Sequence, residues 1–212
     1  MMLARKVVTR SGRRTRGYFP SWKLKRMVEW ESMLERDAIL LFEFSPGVRS
    51  YQEQPELVMY PDGDQMRRYF PDFEIIGMDD QVSHLEVKPE KQLKLPDIRD
   101  KLKRVAAHYY EINREYRIVS ESIIRREPLH TNLKNLCRYR REDEHVLSAR
   151  PLLLKTLSCG AVTFEVLARH FGQHLLFKLI ALGEVSCDLN QELIGSTPIF
   201  HPMEADHAQV LF

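Results

Sequence analysis

Cysteine is scarce in this 212-residue chain: Cys137, Cys159 and Cys187 are three, an odd number, and no two form a C-x-x-C pair. Such spacing supports neither a disulfide framework nor a structural zinc site, and the three are expected to be buried thiols. Long apolar runs are missing as well. No stretch approaches the roughly 18 apolar residues that a membrane span needs, and arginines stand near the N-terminus where a secretory leader has its apolar core. These absences predict a cytoplasmic protein with no membrane association, and no small-molecule cofactor is expected. What remains, 43% hydrophobic and 29% charged residues, is ordinary for a soluble globular chain long enough for one large or two modest domains.

The net charge of +2 conceals an asymmetry. Residues 1–30 hold nine Lys/Arg against one acid, Glu29, as a phosphate-tracking arm would, with Arg13, Arg14 and Arg16 as its candidate DNA contacts. A solvated tail would have the same composition. Residues 151–212 lean the other way, with three Lys/Arg against six acids.

The chain is organised around two short runs. Tyr69-Phe70-Pro71-Asp72-Phe73-Glu74-Ile75-Ile76 reads as one strand, and Val82-Ser83-His84-Leu85-Glu86-Val87-Lys88 as a second. Alternation puts Leu85 and Val87 on one face of the second strand and Glu86 and Lys88 on the other, so the apolar pair meets a core while the charged pair faces a cleft. Gly77-Met78-Asp79-Asp80-Gln81 supplies a hairpin turn that brings Asp72 beside Glu86. Taken alone, Glu86-x-Lys88 is also what the solvated edge of an amphipathic strand looks like. Together with Asp72 it fits a phosphodiester-cleaving site: two carboxylates hold one or two Mg²⁺ ions and acidify a water, while the lysine orients that water or neutralises charge.

Around these runs the periodicity predicts a helix over 25–44, with Met27, Trp30, Leu34, Ala38 and Leu41 on its core face, ended by Ser45-Pro46-Gly47. Glu35 on that helix is a candidate outer or second-metal ligand, although an isolated helical glutamate is more often a surface acid than a ligand. Strands are expected at 48–55, broken by Pro55, and at 57–60. Ile98, Leu102, Val105, Tyr109 and Ile112 mark a second amphipathic helix through about 114, opened by Pro96. Lys91 and Lys94 lie in the basic loop before it and are further candidate DNA contacts. The β-rich run 116–120 then returns beside the Glu86 strand, in parallel. This helix–β–β–β–α–β order is that of an α/β nuclease core.

Past 122 a helix over 129–139 and a charge-dense link lead to a second unit. There, helices at 146–157, 163–171 and 172–182 precede short strands at 184–189 and 198–200. Three helices and a small hairpin outline a winged helix-turn-helix. Its acidic balance lacks the phosphate contacts a groove-reading helix needs, which favours docking to a protein over docking to DNA. His170 and His174 are four residues apart and could share a metal, but no third ligand accompanies them. The resulting division is a basic arm over 1–24, a nuclease domain over 25–125, a linker helix over 126–145 and a winged-helix-like domain over 146–212.

Ser32-x-x-Glu35, Phe42-Glu43-Phe44-Ser45-Pro46-Gly47-Val48, Tyr51-Gln52-Glu53-Gln54-Pro55, Pro71-Asp72-Phe73 and Leu85-Glu86-Val87-Lys88-Pro89, in this order, resemble the TnsA family, the restriction-endonuclease-like subunit of heteromeric transposases. The resemblance covers about 25–125 strongly and the tail from about 130 more loosely. It implies an α/β restriction-endonuclease-like (PD-(D/E)xK) core with a mixed sheet, followed by a small winged-helix-like α+β domain. It implies Mg²⁺-dependent cleavage of the 5′ ends of a transposon, with Mn²⁺ as a substitute ion, and places the catalytic residues at Glu35, Asp72, Glu86 and Lys88 and the metal ligands at Asp72, Glu86 and Glu35. Some members carry glutamine where this chain has Glu86. The implied partners are transposon-end DNA, a TnsB-type transposase and a TnsC-type AAA+ ATPase. A stand-alone restriction or junction-resolving nuclease of the same fold, and a non-catalytic winged-helix adaptor, are the alternatives.

Overall fold

The alternating run that carries Glu86 does form a strand, and it lies inside a sheet. The structure, a computed structural model, describes residues 15–140 and 144–202. The chain falls into two units: one runs through Glu43 and then Gly47–Arg125, the other takes Phe44–Pro46 and the chain from Arg126.

The first unit opens with an antiparallel hairpin, β1 (Gly17–Ser21) and β2 (Arg26–Trp30), followed by helix α1 (Met33–Phe44). The helix expected from residue 25 therefore begins eight residues later, and β1 lies within the stretch expected to be a basic arm. Met27 and Trp30 happen to stand at helical spacing from Leu34, but long-range pairing decides the matter. Arg26 grips the buried Glu53 carboxylate with two guanidinium nitrogens, at 2.6 and 2.5 Å, and the Glu29 N–H donates to the same group at 3.2 Å. These bonds, to a partner 24 to 27 residues away, outweigh a weak helical preference.

Strand β3 (Val48–Glu53) follows, then a second hairpin of β4 (Val58–Asp62) and β5 (Gln65–Tyr69). Its two-residue turn has Gly63 at φ +63°, the left-handed conformation such a turn needs. The expected single strand from Tyr69 to Ile76 is in fact two. Tyr69 closes β5, and β6 (Phe73–Gly77) starts anew after Pro71, which has no N–H to give a ladder. Strand β7 (Val82–Val87), the short helix α2 (Glu90–Leu93), helix α3 (Pro96–Glu111), strand β8 (Glu115–Val119) and the short helix α4 (Glu121–Ile124) complete the unit.

The main sheet has the order β3-β6-β7-β8, antiparallel except that β7 and β8 run parallel. It is thus a mixed sheet, and α3 is the crossover that a parallel return requires. Pro96 occupies the first turn of α3, where no intrahelical N–H is needed. The Leu102, Val105 and Tyr109 stripe is buried, and Val105 and Tyr109 pack with Val58, Tyr60 and Tyr69 of the β4–β5 hairpin. That packing pins the hairpin, and Tyr69 with it.

The second unit contains α5 (Leu129–Cys137), α6 (Glu144–Leu157), β9 (Val162–Thr163), α7 (Phe164–Phe171), α8 (Gln173–Ala181) and β10 (Pro198–Ile199). Its helices bury Leu133, Leu153, Leu157, Leu167 and Leu176. The hairpin expected between 184–189 and 198–200 reduces to one bridge, Ser186 with Phe200, and β10 pairs with β9 instead. Among the described residues no helix is long and apolar enough to cross a membrane.

The cysteines are not uniformly buried: Cys187 is, Cys137 is half-buried and Cys159 is exposed. Burial, with the Asp188 charge beside it, pushes the Cys187 thiol up to about 12. Only about one part in ten thousand of it is then thiolate at pH 8, and the thiolate is the reactive form. A maleimide pulse on the native protein at pH 8, read by peptide mass, is expected to label Cys159 and spare Cys187 until denaturant is added.

Candidate active site

The β6–β7 register pairs Phe73 with Leu85, so Asp72 and Glu86 stand side by side where the two strands meet the loop before β6. Two backbone bonds fix Asp72 there. The Val87 N–H donates to Asp72 Oδ2 at 2.8 Å, and the Asp72 carbonyl accepts from the Gln54 N–H at 2.9 Å. Lys88, one residue past β7, turns its ammonium back to Glu86 Oε1 at 2.6 Å, the Val87 carbonyl at 3.4 Å and Asp72 Oδ2 at 3.5 Å. One positive charge is thus cradled by three oxygens, two from the consecutive residues Glu86 and Val87 and one from Asp72 across the ladder.

Glu86 does not face an open cleft. Its side chain is 3% exposed, against 17% for Asp72 and 26% for Lys88. Both faces of β7 are covered near its end, because Tyr69 of the β4–β5 hairpin closes over the charged one. The Tyr69 hydroxyl donates to Glu86 Oε2 and pairs with the Tyr116 hydroxyl at 2.8 Å. Neither tyrosine was a predicted site residue; Tyr69 stands 17 residues before Glu86 and Tyr116 lies on β8, and no local spacing links them.

Glu35 sits at the N-terminus of α1, in a capping arrangement. Ser32 Oγ accepts the Glu35 N–H at 3.1 Å, while the Glu35 carboxylate accepts the Ser32 hydroxyl at 3.0 Å and the Glu31 N–H at 2.7 Å. Each carboxylate oxygen thereby carries one hydrogen bond and keeps a lone pair. Glu35 is close enough to act electrostatically on both Asp72 and Lys88. The four predicted site residues therefore belong to one electrostatic cluster.

The charges in that cluster shape one another. Burial, then the neighbouring Glu86 and Glu35, hold the Asp72 carboxyl well above its ordinary range, despite Lys88 and the Val87 N–H. Burial also raises Glu35, only partly offset by its two hydrogen bonds and Lys88. Burial alone would lower Lys88, but Asp72, Glu86 and Glu35 outweigh it and raise the ammonium further. Three acids against one ammonium leave an excess of negative charge, the condition that favours a bound cation.

The donor set is hard oxygen throughout, as Mg²⁺ prefers. Among the described residues no group of three or more His, Cys, Asp or Glu side chains is gathered closely enough to cage a metal by itself. Mg²⁺ does not require one, since it is commonly held by one or two carboxylates with waters and substrate phosphate completing the shell. Asp72 and Glu86, which already share one cation, fit that description.

The other predicted residues are more scattered. Arg13 and Arg14 lie outside the described residues. Arg16 is half-buried and ion-paired to Glu31 at 3.5 Å. Lys91, on α2, and Lys94, just past it, are exposed. In the second unit His174 packs edge-on against Tyr139, and no metal-holding group that includes it or His170 is found among the described residues.

Residues 45–121 match the family described as TnsA-like endonuclease N terminal. That segment is a TnsA-like endonuclease N-terminal domain. Asp72, Glu86 and Lys88 fall within the matched TnsA-like segment, and Glu35 precedes it. No curated protein matches the chain. A TnsA-like domain points to a nuclease of DNA transposition, with DNA as substrate and transposase proteins as partners in general.

Proposed function

We propose that this protein is a divalent-metal-dependent DNA endonuclease that cuts the 5′ ends of a transposon during cut-and-paste transposition, using Mg²⁺, with Mn²⁺ able to replace it. The observation that carries this reading is the single ammonium of Lys88 bridging Asp72 and Glu86 inside a cluster of excess negative charge. Asp72 and Glu86 would hold the ion, with Glu35 as the outer or second-metal ligand. When bound, such an ion lowers the pKa of an attacking water and screens the scissile phosphate. Lys88 holds a proton firmly and so acts as a fixed positive charge that orients the water and neutralises the developing phosphorane charge. Lys91 and Lys94 are exposed beyond β7 and suit phosphate contacts.

The reading extends to partners: a TnsB-type transposase to cut and join the 3′ ends, and a TnsC-type AAA+ ATPase. The second unit, read as winged-helix-like, is assigned to protein docking, and its three basic against six acidic residues over 151–212 support that role over a DNA-reading one. The division into an arm over 1–24, a nuclease domain over 25–125, a linker over 126–145 and a docking domain over 146–212 belongs to the same proposal, as does a cytoplasmic location.

The test is a cleavage assay on plasmid carrying the transposon ends, with end-labelled strands. Cuts at the 5′ ends are expected when Mg²⁺ and both partner proteins are present, and none in EDTA. Equal cutting in EDTA, or cuts confined to the 3′ ends, would overturn the proposal. Efficient cutting by the protein alone would identify a stand-alone nuclease.

A further inference from the structure

Glu86 has two carboxylate oxygens, and the structure gives them different work. Oε1 faces the Lys88 ammonium at 2.6 Å, while Oε2 accepts the Tyr69 hydroxyl. Tyr69 has a single proton, and it is committed to Glu86. In the 2.8 Å contact between the phenols, Tyr116 must therefore be the donor. The chain of bonds runs Tyr116 to Tyr69 to Glu86, and each donation strengthens the next.

We propose that Tyr69, backed by Tyr116, is a positioning residue that fixes the rotation of the Glu86 carboxylate so that Oε1 alone is presented to the cation. This rests on the metal-dependent reading above and goes beyond it by naming what aims the ligand. The two phenols are themselves held rigidly. Tyr69 is 2% exposed and meets the Tyr60 and Tyr116 rings edge-on, while Tyr116 stacks on Tyr109 of α3 at 4.8 Å between ring centres and 21° between planes. The Lys101 ammonium stands 5.3 Å over the Tyr69 ring, and its charge draws on the ring electrons and makes the phenol a better donor. Three separate elements, β5, β8 and α3, converge to build this support. A carboxylate that takes one firm bond on its far oxygen presents the near one in a fixed direction, and loss of such a partner commonly weakens metal binding by about 10- to 100-fold.

The experiment titrates Mn²⁺ alone into the full chain and follows free Mn²⁺ by electron paramagnetic resonance, for wild type, Tyr69→Phe, Tyr116→Phe and Asp72→Asn. Phe keeps each ring and its packing and removes only the hydroxyl. Tyr69→Phe is expected to weaken Mn²⁺ binding by about 10- to 100-fold, Tyr116→Phe by less, with far-UV circular dichroism unchanged. The Mg²⁺ concentration for half-maximal cleavage should rise in the same order. Mn²⁺ affinity within about twofold of wild type in Tyr69→Phe overturns the positioning role and leaves the nuclease reading standing. Should Tyr69→Phe not fold, Tyr116→Phe decides, because it leaves the Tyr69–Glu86 bond in place: unchanged affinity there overturns the relay. Wild-type protein that shows no Mn²⁺ binding dependent on Asp72 overturns both this inference and the nuclease reading.

Discussion

Asp72→Asn is expected to abolish 5′-end cleavage and, at the same time, to make the protein more stable at pH 7 to 8. The two effects have one origin. Asp72 is crowded by Glu86 and Glu35 in a place largely shut off from water, and its carboxyl is held well above the ordinary range. For an acid raised in this way, the ionised form is a burden on the folded state that sets in as pH climbs from the unfolded carboxylate value through the folded one. An asparagine keeps an oxygen for the Val87 N–H, now 2.8 Å from Asp72 Oδ2, and carries no charge. Each kcal/mol so relieved raises the melting temperature by roughly 2–4 °C in a protein of this size. Chemistry responds oppositely, because a cation held by both carboxylates loses half of its charge partner. If the ion contributes several kcal/mol to the transition state, the rate falls by about 10³-fold or more. Calorimetry and the reconstituted cleavage assay check the two halves independently. A variant that cuts normally would remove Asp72 from the site, and one that is less stable at pH 8 would contradict the charge argument. Asp72→Ala is expected to be equally inactive, without the gain in stability, since it also gives up the Val87 bond.

How far the site could be read from the sequence depended on the distance over which each interaction acts. The β6–β7 hairpin was legible because alternation in 82–87 and the Gly77–Gln81 turn are local, and that register alone brings Asp72 to Glu86. Helix α3 and the parallel return of β8 were legible for the same reason. The β1–β2 hairpin was not, because what decides against a helix there is the grip of Arg26 on Glu53, the last residue of β3 and 27 positions away. Nor was β5, a run of exposed Gln65, Met66, Arg67 and Arg68 with no alternation until Tyr69 is buried. Missing β5 meant missing the cover over Glu86, and so the charged face of β7 was expected to be open. The Ser32-x-x-Glu35 spacing had a further local meaning, a helix cap, which the structure realises while keeping Glu35 in the electrostatic cluster.

Glu43→Ala is expected to cost about 3–5 kcal/mol of stability, lowering the melting temperature by roughly 10 °C. The side chain is 1% exposed in the last turn of α1, where the helix dipole disfavours an anion. Four donors hold it there: the Ser21 hydroxyl, the Tyr51 hydroxyl at 2.7 Å, the Trp22 N–H at 3.1 Å and the Lys23 N–H at 3.3 Å. Burial and the Glu43 charge raise Tyr51 far above its usual range, so it remains a donor. Glu43 thereby ties the β1–β2 turn and strand β3 to α1. Alanine leaves buried donors unpaired, and each such group costs about 1–3 kcal/mol. Glutamine matches the shape yet turns an NH₂ toward one of these donors, so it should recover only part of the loss. Because α1 carries Glu35 at its other end, loosening this clamp also lets Glu35 drift from Asp72 and Lys88. Cleavage by Glu43→Gln, measured well below its melting temperature, should therefore fall by more than its residual folded fraction explains. Thermal melts of the three proteins paired with rates per folded molecule separate the clamp from a site role, and an unchanged melting temperature in Glu43→Ala would show that the hairpin is held by other contacts.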